Sequence, residues 1–232
     1  YAGTMFLPTL STRPIDRPLH DDVRTLASAL GRVIQRLEGE EAFEAVETLR
    51  RLSRSRRHED ANAPTLDQLL ERVELLPLPT AHVVGRAFSL FFLLINTAEQ
   101  VHRVRRRRSY PAFPAQPASS RWLVGQLKHR GMSAEEAKVH LDSLEVRPVL
   151  TAHPTESTRR TVLNIQARIA NLLLSEANSA NELAVEIELL WLTAEVRRDR
   201  PSVLDEVSTV LWYLEDRLLT ASRDVTTSLQ VA

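Results

Sequence analysis

His153, Thr155, Arg159 and Arg160 fall within eight residues of each other, in the run Val149-Leu150-Thr151-Ala152-His153-Pro154-Thr155-Glu156-Ser157-Thr158-Arg159-Arg160. An unperturbed imidazole titrates near neutral pH, so His153 can exchange a proton with a bound substrate. Arg159 and Arg160 add two permanent cations just downstream. Val146 to Leu150 read as a short strand, and a helix resumes after Pro154, which stiffens the turn between them. A strand end followed by a helix start attracts anions, because free backbone N–H groups and the helix dipole point there. Residue types and spacing also fit a plainer reading. In it His153 is a hydrogen-bonded structural histidine, the arginines are solvated or paired with acids such as Glu156, and Glu156 charges the first helical turn. Spacing does not decide between the two.

The elements that must carry this segment are nearly all helical. Leu19, Val23, Leu26, Leu30, Val33, Ile34 and Leu37 recur at three- and four-residue steps, predicting a helix that Gly39 ends. From Glu40 to Arg57 acids precede a basic end, an order that complements a helix dipole and predicts a second helix. Thr65 with Gln68 forms a capping box for a third helix, closed by Pro77 and Pro79. A long helix from Thr80 to about Arg108, buried over much of its middle, follows as the centre of a first bundle. Ser133 with Glu136 caps a helix ending near Leu144, and Ser202 with Asp205 caps another bearing Val210, Leu211, Leu214 and Leu218. Between them lie helices marked by Ile165, Ile169, Leu172 and Leu173, and by Val185, Leu189, Leu190 and Trp191. Pro111, Pro114 and Pro117 read as a connector. The division expected is therefore 1–108 helical, 109–120 connector, and 121–232 helices plus the strand–turn–helix that carries His153.

Composition narrows the function classes. Of 232 residues 43% are hydrophobic, enough for a sizeable core. Thirty basic residues balance thirty acidic ones, so no overall field favours nucleic acid or an anionic membrane. The basic run His102 to Arg108 has no interleaved aromatics for base stacking and reads as a solvated helix end, with Arg105 to Arg108 complementing the dipole. No nucleic-acid partner is expected. Nor is a membrane expected, since the apolar run Ala87 to Ala98 is shorter than the roughly 20 residues a spanning helix needs. Absence of cysteine excludes disulfides and thiolate metal sites and suits a reducing compartment such as the cytoplasm. His102, His129 and His140 lack ligand spacing and read as surface or structural, so no metal site is expected within the chain. Trp122, Trp191 and Trp212 lie among apolar helix residues and read as core. Because the chain opens on Tyr1, it reads as a fragment or the ordered part of something longer.

The Thr151-Ala152-His153-Pro154-Thr155-Glu156 core with its following basic pair resembles the histidine motif of phosphoenolpyruvate carboxylases of bacterial type. Residues 30–50 (LGRVIQRLEGEEAFEAVETLR), 87–106 (AFSLFFLLINTAEQVHRVRR) and 186–206 (EIELLWLTAEVRRDRPSVLDE) resemble that family's N-terminal helices in the same order. The resemblance implies an enzyme that joins bicarbonate to phosphoenolpyruvate with Mg²⁺ or Mn²⁺, yielding oxaloacetate and phosphate. It implies that His153 is the general base, with Arg159, Arg160 and Thr155 as candidates for holding an anion or supporting the loop. It also implies a homo-tetramer and a large, mainly α fold. In the complete enzyme the one or two short strands join a TIM-like β/α barrel surrounded by helices, and Val146 to Leu150 supplies an early strand. The family's metal-binding acids, glycine-rich loop with its arginine, catalytic lysine and inhibitor-binding residues have no counterpart in this sequence. The chain alone is thus expected to be inactive, the alternative being a non-catalytic helical module derived from such an enzyme.

Overall fold

Gly39 sits between the first two helices with φ 87° and ψ 171°, a backbone region open essentially to glycine alone. In the computed structural model, which describes residues 14–60, 62–109, 115–145, 147, 159–175, 180–194 and 202–230, this turn ends α1 (Arg17–Glu38) and starts α2 (Glu40–Arg57). Pro18 lies in the first turn of α1, where a missing N–H has no helical partner to lose. Thr65 and Gln68 form the expected reciprocal cap on α3 (Leu66–Glu74), and α4 (Leu78–Ser109) follows after Pro77. Further along are α5 (Ser120–His129), α6 (Ala134–Asp142), α7 (Arg160–Leu174), α8 (Ala180–Leu192) and α9 (Val203–Tyr213). A π-helical turn, Leu214–Leu218, joins α9 to α10 (Leu219–Gln230). The Ser133–Glu136 and Ser202–Asp205 capping boxes both form. The described residues are mainly α and contain no strand; of Val146 to Leu150 only Arg147 is among them, so the expected strand lies outside them.

The helices group into two units that do not follow chain order. One comprises residues 1–106 and 158–196, the other 107–157 and 197–232, so α7 and α8 belong with α1 to α4 rather than with the helices that flank them in sequence. In the first unit α1 packs against α2 and α8, and α7 packs against α8. Leu26, Leu30 and Ile34 of α1, Leu90 and Leu94 of α4, Ile165 and Ile169 of α7, and Ile187 and Leu190 of α8 are fully buried in one core. Each such side chain contributes roughly 2 kcal/mol of transfer free energy. In the second unit α5 packs against α10.

Two expectations change. By length and composition α4 meets the membrane-span criterion that the Ala87–Ala98 run alone does not: it has 32 residues and an 18-residue window of mean hydropathy 1.6. Its apolar face nevertheless lies in the protein core, with Val84, Ala87, Leu90, Leu94 and Ala98 buried. The tryptophans also divide: Trp191 is 1% exposed, Trp212 is half-buried, and Trp122 is 37% exposed rather than core.

Candidate functional site

Of the four residues expected to carry chemistry, His153 and Thr155 lie outside the described residues, and Arg159 and Arg160 lie side by side at the start of α7. Arg159 is the N-cap residue, extended at φ −64° and ψ 139°, and its carbonyl accepts from the Val162 N–H at 2.9 Å. No side chain caps this helix and no acid occupies its first turn. Among the described residues, two arginines and no acid therefore stand at the positive end of the α7 dipole. Both arginines are half-buried, and the Nε of Arg159 is shielded from solvent without a hydrogen-bond partner. A buried donor without a partner is costly, about 1–3 kcal/mol, and marks a place where an acceptor fits.

The position of α7 is fixed along its length. Val162, Ile165 and Ile169 are buried on one face. Gln166 Nε2 donates to the Thr97 hydroxyl at 3.4 Å, and that buried hydroxyl donates onward to the Leu93 carbonyl at 2.9 Å, tying α7 to α4. Arg168 Nε donates to Glu186 Oε1 at 2.7 Å, tying α7 to α8. At the far end of α7 the Leu173 carbonyl accepts from Arg105 of α4, whose guanidinium also binds both carboxylate oxygens of Asp22 on α1, the second at 3.4 Å.

Arg105 thus corrects the expectation of a solvated basic end. It joins three helices, while Arg106, Arg107 and Arg108 are exposed. Burial raises the Asp22 pKa above the usual carboxylate value, and the hydrogen bond and charge of Arg105 oppose this only in part. A signal for Arg105 was present in the sequence. Leu94, Ala98, Val101 and His102 form the buried face of α4, and Arg105 is the next residue on it, whereas its basic neighbours point elsewhere.

Two further groups were missed. Trp191 Nε1 donates to Glu38 Oε1 at 2.9 Å, and the Arg86 guanidinium lies 5.1 Å from the indole centroid while donating to the Thr193 carbonyl at 3.0 Å. These contacts link the last turn of α1, α4 and the end of α8. His102 is buried, with Nε2 3.5 Å from Asp16; that is ion-pair range, but neither ring nitrogen meets hydrogen-bond geometry, so its role is packing beside an acid.

Among the described residues no three His, Asp or Glu side chains converge as a metal site, so they do not fit Mg²⁺ or Mn²⁺. A shallow groove of about 480 Å³ runs between α7 and α8, lined by Arg168, Asn171, Leu172, Glu182, Val185 and Glu186. It lies along the later turns of α7, away from Arg159 and Arg160.

The phosphoenolpyruvate carboxylase family profile matches residues 19–232. Phosphoenolpyruvate carboxylase of Thermus thermophilus is 39% identical over 218 residues, covering 92% of this chain and 25% of the relative. That of Corynebacterium diphtheriae is 38% identical over 214 residues, covering 90% and 22%, and that of Rhodothermus marinus 35% identical over 220 residues, covering 88% and 23%. The chain spans about a quarter of the length of the curated relatives it matches, their N-terminal quarter. With the profile matched over nearly all of its length, the chain belongs to the phosphoenolpyruvate carboxylase family.

Proposed function

We propose that the chain supplies the histidine loop of an enzyme that carboxylates phosphoenolpyruvate with bicarbonate, giving oxaloacetate and phosphate. The observation that carries this reading is the Thr151-Ala152-His153-Pro154-Thr155-Glu156 core, inside the matched region and running directly into Arg159 and Arg160 at the uncapped start of α7. The phosphoryl group of phosphoenolpyruvate passes to bicarbonate, leaving carboxyphosphate and the pyruvate enolate. His153 accepts the carboxyl proton of carboxyphosphate as the bond between the carboxyl carbon and the bridging oxygen breaks, the oxygen leaving with phosphorus, so that CO₂ and phosphate are released. The enolate carbon then attacks CO₂ and forms oxaloacetate. Arg159 and Arg160, with Thr155, hold or support an anionic group beside the loop, because charge develops on phosphate and enolate oxygens during these steps. A divalent cation would neutralise that charge, with ligands from the three quarters of the relatives that this chain does not match. A homo-tetrameric state belongs to the same reading and rests on the resemblance, and a cytoplasmic location rests on the absence of cysteine.

The test replaces His153 with Asn in an enzyme completed with the remaining three quarters, fused or added as a second polypeptide. Asn keeps some hydrogen bonding but accepts no proton near pH 7. Oxaloacetate formation falls by about 10²- to 10⁴-fold, the usual contribution of general-base assistance. Bicarbonate-dependent phosphate release continues, because phosphoryl transfer precedes the step that needs the base. Phosphate, pyruvate and oxaloacetate are followed together, with the exposed His82→Asn as control. Near-normal oxaloacetate from a folded His153→Asn enzyme returns His153 to a structural role.

A further inference from the structure

The face of α4 that sends Leu94, Ala98 and Val101 into the core also carries a hydroxyl, that of Thr97, which is 2% exposed. It donates to the Leu93 carbonyl at 2.9 Å and accepts from Gln166 Nε2 of α7 at 3.4 Å, so it is used both as donor and as acceptor. Among the described residues no other side-chain hydrogen bond leaves the first two turns of α7, where Val162 and Ile165 are the buried side chains. Apolar burial follows area and has no preferred direction, so by itself it resists a small rotation of the helix about its own axis only weakly. A hydrogen bond is directional and does resist it. Rotation matters at the start of α7. Gln166 lies seven residues past Arg159, which at 3.6 residues per turn brings it back to within about 20° of it around the helix. The bond and the Arg159 guanidinium therefore share one side of α7, and a rotation of about 10° moves a side-chain tip about 5–6 Å from the axis by about 1 Å.

We infer that Thr97 and Gln166 are positioning residues: their hydrogen bond sets the rotation of α7, and with it the place of Arg159, Arg160 and the histidine segment that runs into them. The catalytic consequence rests on the function proposed above. Neither side chain has to touch substrate for this. A misplacement of about 1 Å caused by a change remote from the chemistry costs up to about 10²-fold in rate. One long bond between neutral groups contributes little to stability, and Gln166 is only half-buried, so water can satisfy its amide once the bond is lost. A positioning role therefore costs rate out of proportion to stability, and a merely structural role does not.

The test uses the enzyme completed with the remaining three quarters. Thr97→Val fills nearly the same space without a hydroxyl, Gln166→Leu removes the donor, and Thr97→Ser keeps the hydroxyl. The Val and Leu variants are each expected to lower kcat for oxaloacetate about 10- to 100-fold while KM for phosphoenolpyruvate moves less than about threefold. Thr97→Ser regains most of the rate. Thr97→Val/Gln166→Leu loses no more than either change alone, because both break the same bond. A second readout needs no activity: in the 232-residue chain the NMR resonance of the shielded Arg159 Nε–H shifts in the Val variant and returns in the Ser variant. Thermal unfolding of the same variants checks that the fold is kept. The proposal is overturned if Thr97→Val leaves kcat within about twofold of the parent, if the two losses add in full, or if Thr97→Ser is as slow as Thr97→Val. Failure of the functional reading looks different, since the unsubstituted completed enzyme then gives no oxaloacetate, or His153→Asn leaves it near normal. In that case the Arg159 resonance decides: a shift in the Val variant that the Ser variant reverses keeps the positioning bond, and an unmoved resonance overturns it.

Discussion

Arg105 shows how much a single charged side chain can hold. Its guanidinium serves Asp22 and the Leu173 carbonyl, so Arg105→Ala leaves a largely buried carboxylate and a helix-end carbonyl without their donor. Breaking a buried pair from one side costs about 3–5 kcal/mol, and the partial exposure of this pair brings the expected loss to about 2–3 kcal/mol. The loss depends on pH. Burial already raises the Asp22 pKa, and removing Arg105 takes away the largest effect that lowers it. The native state of the variant then holds the Asp22 proton to higher pH than the unfolded chain does. Its stability falls as pH rises through and above the ordinary carboxylate range, more steeply than the parent's. Urea unfolding at pH 4.5 and pH 7 measures the difference. Arg105→Ala/Asp22→Asn recovers most of the pH-dependent part, and equal losses at both pH values would show that Asp22 is not the group responsible. Nothing in the local sequence names the partners of Arg105, because Asp22 and Leu173 are 83 and 68 residues away.

Helix boundaries were more legible than partners because they are written in neighbouring residues. Three capping boxes form where Thr65–Gln68, Ser133–Glu136 and Ser202–Asp205 announce them, and the α1–α2 junction falls at Gly39. The grouping of helices was not legible, since nothing short-range says that α7 and α8 join α1. The histidine segment was legible as a motif, but its geometry depends on residues outside those described. Gly39 gives a clean test of the local signals. A Cβ built there meets nothing within 4 Å, so the effect of Gly39→Ala comes from the backbone and not from crowding. At φ 87° and ψ 171° the strain is about 1–3 kcal/mol, lowering the thermal midpoint of the first unit. Gly125→Ala lies inside α5 with equally open space and an ordinary helical backbone, so the same change there is neutral or stabilising, by up to about 1 kcal/mol. Similar midpoints for the two variants would mean that the Gly39 turn relaxes without strain.

At the scale of the whole molecule, the proposed reading gives the chain the histidine loop of a reaction whose charges its described residues do not neutralise. Phosphoryl transfer from phosphoenolpyruvate develops negative charge on phosphate and enolate oxygens, and stabilising it is the largest catalytic contribution such an enzyme makes. The described residues offer two arginines at the start of α7 and no cluster of acids that could hold a divalent cation. A general base contributes about 10²- to 10⁴-fold, and only after carboxyphosphate exists. With nothing among the described residues to hold the phosphoryl group in line with bicarbonate, the proposed reading gives that intermediate no place to form and the base no substrate. The 232-residue polypeptide, pure and folded, is therefore expected to give no oxaloacetate above background with phosphoenolpyruvate, bicarbonate and Mg²⁺ or Mn²⁺. A coupled assay with malate dehydrogenase, run beside a phosphate assay, detects either half of the reaction. Phosphate release without oxaloacetate would mean that the chain already contains the phosphoryl-transfer site. Oxaloacetate itself would mean that a quarter of the relatives' length is sufficient, and the cation would then have ligands within these 232 residues.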